Sequence, residues 1–225
     1  DKKETFAGEP NGVTRSYGKI YVTNTGSRTD VFDAETYEFI TCIGTGTWGE
    51  GGYQTVHAFD VTASQGAVFI RDKRKLVVVL EQDVQPGSAA RVPIYSRSVN
   101  LQEAMGTYAV AARNDGFLYV TAQNKNIIYL FDPADIRAGD TGFAPYLVTL
   151  GFEKSPQSIA FVGDRLFVTL RVDDKRSELW EISPKNGKLL QDFTDSMVYP
   201  EKIAGARHTL LVVDRATQTV KAIGL

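Results

Sequence analysis

The side chains of this 225-residue chain suited to catalysis or metal binding are two histidines, one cysteine and a scatter of carboxylates. His57 and His208 share no His-x-His or His-x-x-x-His spacing, so no metal centre is expected. Cys42 has no second cysteine for a disulfide, zinc or redox pair, and its neighbours Phe39, Ile40 and Ile43 predict a small buried core residue. No serine lies in a Gly-x-Ser-x-Gly elbow, which argues against a serine hydrolase. Cleaving a glycoside takes carboxylates about 5–10 Å apart across one cavity. Glu9, Asp60 and Glu201 are the candidates for such work, with His57 as a possible imidazole partner. The competing reading makes them solvated loop carboxylates.

Binding chemistry has more material. The stretch Gly44–Tyr53 is glycine-rich yet holds Trp48 and Tyr53. It reads either as a lid or stacking platform for a ring, or as a segment whose tryptophan caps a core. No Gly-Lys-Ser or Gly-Lys-Thr ends it, so it is not a phosphate-binding loop. Cations recur at regular intervals at Arg28, Lys73, Arg74, Lys125, Lys175, Arg176 and Arg215, and Tyr199 lies just before Pro200. Gathered on one rim, these cations would focus a positive potential on an anionic ligand despite the chain's net charge of -2. As dispersed turn residues they would only solubilise the surface.

Composition bounds these readings. With 43% hydrophobic and 23% charged residues, the chain has the make-up of a folded domain. The near-neutral balance supplies no whole-chain attraction to nucleic acid, and no nucleic-acid partner or cofactor is expected. No run of 18 apolar residues occurs, so no membrane-spanning helix is expected. The polar opening Asp1-Lys2-Lys3-Glu4-Thr5 fits a leader removed ahead of it, as in a protein lipid-anchored just before Asp1.

The elements that must position these residues come from a repeat. Ile20, Val68, Leu118, Leu166 and Leu210 are each the second residue of a β-branched or aromatic segment, at spacings of 48, 50, 48 and 44. Pro10, Pro156 and Pro200 lie ten residues before three of them, where proline suits the first residue of a strand, and Ala58 and Tyr108 hold that place in the other two. Polar turns and further apolar segments follow at Asp30–Asp33, Leu76–Leu80, Ile127–Phe131, Glu178–Ile182 and Gln218–Ile223. Four antiparallel strands in about 45 residues make one propeller blade.

The expected fold is therefore an all-β, five-bladed β-propeller in one domain. Its blades fall near residues 10–44, 53–104, 105–151, 152–194, and 195–225 with 1–9. The segment Glu4–Ala7 is expected to close the ring by joining the last blade, which has only three strands of its own.

Tyr21-Val22-Thr23-Asn24, followed by Arg28 to Asp33 and Thr36, resembles the YVTN family of β-propeller repeats. Tyr119-Val120-Thr121-Ala122 and Phe167-Val168-Thr169-Leu170 echo it. The resemblance, shared with NHL-like propellers, implies an extracytoplasmic protein of the bacterial cell envelope, and a monomer is expected. It points to a glycan, peptide or protein ligand on the loop rim, and leaves open a carbohydrate- or cell-wall-directed hydrolase or lyase.

Overall fold

The computed structural model describes residues 8–44, 57–72, 76–86, 109–132, 134 and 146–225. Five antiparallel sheets follow one another along the chain, each with its strands in sequence order. Sheet 1 comprises β1 (Pro10–Ser16), β2 (Lys19–Asn24), β3 (Arg28–Asp33) and β4 (Phe39–Ile43). Sheet 2 comprises β5 (Ala58–Ser64), β6 (Ala67–Asp72) and β7 (Leu76–Leu80). Sheet 3 comprises β8 (Val110–Ala112), β9 (Leu118–Ala122), β10 (Ile127–Phe131) and β11 (Tyr146–Gly151). Sheet 4 comprises β12 (Ser155–Val162), β13 (Arg165–Arg171), β14 (Ser177–Ile182) and β15 (Leu189–Asp192). Sheet 5 comprises β16 (Pro200–Ala206), β17 (Thr209–Asp214) and β18 (Thr219–Gly224).

The repeated segments are thus the second strands of five blades, and the fold class is the five-bladed β-propeller that their spacing predicts. The expected closing strand at Glu4–Ala7 lies outside the described residues. The chain forms two compact units, one holding sheets 1 and 2 and the other sheets 3 to 5.

Alternation along the strands builds the cores. In the second unit, Leu166, Val168 and Leu170 of β13 point one way and pack with Tyr119, Ile128 and Ile159. Phe167, between them, points the other way and packs with Leu179, Leu210 and Val212. One strand therefore feeds two cores, because side chains alternate faces with a period of two. In the first unit, Tyr21, Val31 and Ile43 pack against Val68, Ile70, Val77 and Val79 in the same manner. Burying each such side chain contributes about 1.5–3 kcal/mol. The first hairpin of sheet 1 turns through Tyr17 and Gly18, with φ of 53° and 70°, the left-handed pair that a two-residue turn between twisted strands needs. Cys42 departs from expectation: it is half-buried rather than a core residue, with its thiol 3.6 Å from the Gly44 carbonyl.

A second repeat lies in the first strands. Their pairing with the second strands shifts register between Pro10 and Gly12, Ala58 and Asp60, Pro156 and Ser158, and Pro200 and Lys202. The skipped residues are Asn11, Phe59, Gln157 and Glu201, one bulge at the second residue of β1, β5 and β16 and at the third of β12. The motif threonine sits opposite this break. The Thr169 hydroxyl accepts the Ser158 N–H at 3.0 Å, and the Thr121 hydroxyl accepts the Ala109 N–H at 3.0 Å. In sheet 1 the Thr23 hydroxyl lies 3.3 Å from the Gly12 carbonyl. A bulge leaves ladder groups unpaired, and a short side chain that both donates and accepts can satisfy them.

Candidate binding cleft

The bulges, the turns after the second strands and the approach to β16 bring side chains together at one edge of the second unit. Gln123 starts the 3-10 turn Gln123–Lys125 after β9, Gln157 is the bulged residue of β12, and Arg171 ends β13. Asp174 lies in the turn before β14, Tyr199 precedes β16, Glu201 and Lys202 belong to β16, and Arg215 follows β17. These eight residues line an open cleft of about 380 Å³, within the size range of small-ligand sites.

Hydrogen bonds hold the cleft's backbone in place. The Thr169 hydroxyl, having accepted the Ser158 N–H, donates to the Glu201 carbonyl at 3.1 Å. The Ser158 hydroxyl accepts the Ile203 N–H at 3.2 Å. Lys202 is therefore bracketed by two peptide groups tied to sheet 4. On the other wall, the buried Asp214 carboxylate accepts the N–H groups of Val198 and Tyr199, each at 3.0 Å, and pairs with Lys221 at 3.3 Å. Burial alone would raise the Asp214 pKa, but these two N–H donors and Lys221 outweigh it and hold the group at about 2. The Arg215 N–H donates to the Tyr199 carbonyl at 2.9 Å, which ties the two loops together. At the third corner, the Ser155 hydroxyl donates to the Gln123 carbonyl at 3.1 Å.

The cleft's charges are mixed. Arg215 pairs with Glu201 at 3.4 Å and lies over the Tyr199 ring, 5.7 Å from its centroid. Arg171 pairs with Asp174. Gln157 accepts from the Ser177 hydroxyl at 3.4 Å. Among the described residues the Lys202 ammonium has no hydrogen-bond or ion-pair partner. Arg171, Lys202 and Arg215 thus face Asp174 and Glu201, leaving one positive charge over.

The residues expected from sequence divide among several places. Tyr199, Glu201 and Arg215 meet in the cleft. Tyr199 is only 4% exposed, so it offers an edge beneath Arg215 rather than a stacking platform. Arg176, with Lys175, lines a separate depression of about 640 Å³ and pairs with Glu178 at 3.2 Å. Lys125 ends the 3-10 turn after β9. Arg28 begins β3 instead of lying in a turn and pairs with the buried Asp30 at 2.7 Å. Within the second unit the expected rim cations are thus dispersed, Arg215 in the cleft, Lys175 and Arg176 in the other depression and Lys125 in neither.

Of the proposed catalytic groups, Glu9 and Asp60 lie in the first unit and Glu201 in the second. Glu9 is exposed, with its N–H donated to the Thr25 hydroxyl at 2.9 Å. Asp60 lies on β5, its carboxylate accepting the Val61 N–H at 3.0 Å, and a Cβ added at Gly12 would fall 2.6 Å from it. His57 stacks on Phe59 at 5.9 Å. Trp48, Tyr53, Lys73 and Arg74 lie outside the described residues.

Sequence reasoning passed over Gln123, Gln157, Arg171 and Lys202. Gln157 and Glu201 each directly follow a proline at the start of a first strand, Pro156 and Pro200, and that offset is the signal that could have found the bulged pair.

No family model matches the chain, and no curated protein matches it in sequence. Solved structures do match in fold. A structure of a nidogen/laminin complex aligns with a TM-score of 0.65 at 15% identity, covering 97% of this chain and 77% of that one. Virginiamycin B lyase from Staphylococcus aureus aligns with a TM-score of 0.59 at 12% identity, covering 97% and 71%. The WD40 β-propeller domain of Doa1 aligns with a TM-score of 0.58 at 12% identity, covering 93% and 62%. At these identities the likeness shows the β-propeller fold alone.

Proposed function

We propose that the chain is a binding module that takes a glycan, peptide or protein ligand on the loop edge of its sheets, with the cleft of the second unit as the contact site. The observation that carries this reading is the convergence of polar side chains from three consecutive sheets on a ligand-sized cleft whose backbone is held by cross-sheet hydrogen bonds. Rigid positioning lowers the ordering cost of association. The cleft carboxylates Asp174 and Glu201 are each engaged by an arginine, an arrangement that favours holding a ligand over transferring its protons.

The reading includes an extracytoplasmic setting at the cell envelope, on the resemblance of Tyr21–Asn24 and its echoes to the YVTN repeats. No described helix is long and apolar enough to cross a membrane. Fractionation of the native host tests the setting, and recovery in the cytosol alone would refute it.

Ligand binding is tested with immobilised polysaccharides and a peptide array. A ligand so found should lose at least about tenfold in affinity when Gln157, Glu201 and Arg215 are replaced together by alanine, with little change in melting temperature. Undiminished binding by that triple variant would remove the cleft from the account.

A further inference from the structure

We infer that the cleft selects a saccharide bearing a carboxylate, and that Lys202 is the group that receives the carboxylate. This rests on the cleft being the ligand site. The two arginines each already hold a carboxylate of this chain, whereas the Lys202 ammonium holds none among the described residues. Lys202 is half-buried, and the peptide groups on both sides of it are tied to Thr169 and Ser158 of sheet 4. Lys202 therefore lines, from a fixed backbone, a cleft with one positive charge in excess among its described residues. An anionic ligand group would fill that place with a charge-assisted hydrogen bond, stronger than a neutral one.

The rest of the lining favours a sugar over an acidic peptide. The amides of Gln123 and Gln157 each pair a donor with an acceptor, matching hydroxyls that do both. Among the described lining residues the one aromatic ring, Tyr199, is almost wholly covered, so these residues offer no apolar seat to peptide side chains.

The experiment is calorimetric titration of the full chain with trisaccharides of galacturonic and glucuronic acid and a sialylated trisaccharide. Their methyl esters and a tetra-glutamate peptide serve as comparators. At least one acidic sugar should bind, its ester should bind about tenfold more weakly or worse, and raising salt from 50 to about 300 mM should weaken only the acid. Lys202→Gln should lower acid binding to the level of the ester and leave the ester unchanged, and Lys202→Arg should restore most of the difference.

Equal binding of acid and ester, unaffected by Lys202→Gln but lost in the triple alanine variant, would overturn this inference while leaving the cleft as the ligand site. Acid binding retained by the triple variant would instead break the cleft reading itself. Tetra-glutamate binding as tightly as the best sugar, or no acidic sugar binding at all, would overturn the saccharide assignment.

Discussion

Opposite the bulge, sheet 4 carries Thr169 and sheet 2 carries Arg71, both fully buried. The hydroxyl in sheet 4 accepts the Ser158 N–H and donates to the Glu201 carbonyl, so one small side chain repairs the strand break and ties sheet 4 to sheet 5. The guanidinium in sheet 2 has five donors and no acceptor, so it cannot do the first of these tasks. Burial pushes its pKa below the ordinary range, and the buried Asp72 beside it pulls the other way. The same repeat position is thus filled by a neutral adapter in one sheet and a buried charge in another. The threonine of the motif is explained by the bulge, and in sheet 4 the bulge also builds the cleft.

The contrast is broken most forcefully at Arg71. Replacing it with alanine empties a fully buried site and removes the charge that lies near Asp72, and truncating a large buried side chain costs about 2–5 kcal/mol. Urea unfolding followed by circular dichroism should show a fall of that order. A loss below about 1 kcal/mol would mean that Asp72 is compensated by other groups, and that Arg71 is no more than a packed substitute for threonine.

Thr169→Val should cost less, about 1–3 kcal/mol, because it keeps the shape while removing both an acceptor and a donor from buried backbone groups. It should also weaken ligand binding, since Glu201 and Lys202 would lose their anchor, and Thr169→Ser should recover most of both losses. If Thr169→Val lowered stability but left affinity untouched, the hydroxyl would serve sheet 4 alone.

Much of this was legible in the sequence because strand identity is written in local composition. The five marked segments and their spacing located the second strands, and three prolines located the first strands before any pairing was known. The bulges were not legible, since a single extra residue leaves composition unchanged and appears only in the register of two paired strands. The cleft suffered in proportion. Tyr199 and Arg215 follow from their loops and Glu201, expected in a loop but found in β16, from its place beside Pro200, but Lys202 and Gln157 lie within strands, where alternation alone assigns them no site.

Asp214 tests the other wall of the cleft through pH. Its folded pKa of about 2 lies below the ordinary carboxylate value of 3.8, so the folded state binds the proton more weakly than the unfolded chain does. Its contribution is therefore complete above about pH 4 and is lost as pH falls through about 2. Asp214→Asn should destabilise the protein by about 1–2 kcal/mol at pH 7 and flatten the fall in stability between pH 4 and pH 2. A variant with an unchanged acid limb would show that other carboxylates set it.

The smallest effects are expected at the exposed cations, and there the two depressions of the second unit can be told apart. Arg176 and Arg215 have side chains 60% and 64% exposed, paired with Glu178 and Glu201 at 3.2 and 3.4 Å. Such pairs gain little in water, because solvent screens them and each side chain loses rotamer freedom to keep its geometry. Replacing either arginine with glutamine should shift stability by no more than about 0.5 kcal/mol, within the scatter of surface substitutions. Their effects on binding should diverge. Arg215→Gln removes a cation from the cleft and frees the Glu201 carboxylate, so the acidic ligand should meet one less attraction and one new repulsion. Arg176→Gln alters the neighbouring depression and should change that affinity less than twofold at 0.15 M salt, where the Debye length is about 8 Å. Equal losses from the two variants would mean that the ligand reads the summed charge of the whole edge, and a loss from Arg176→Gln alone would move the binding surface to the depression lined by Lys175, Glu178 and Asp195.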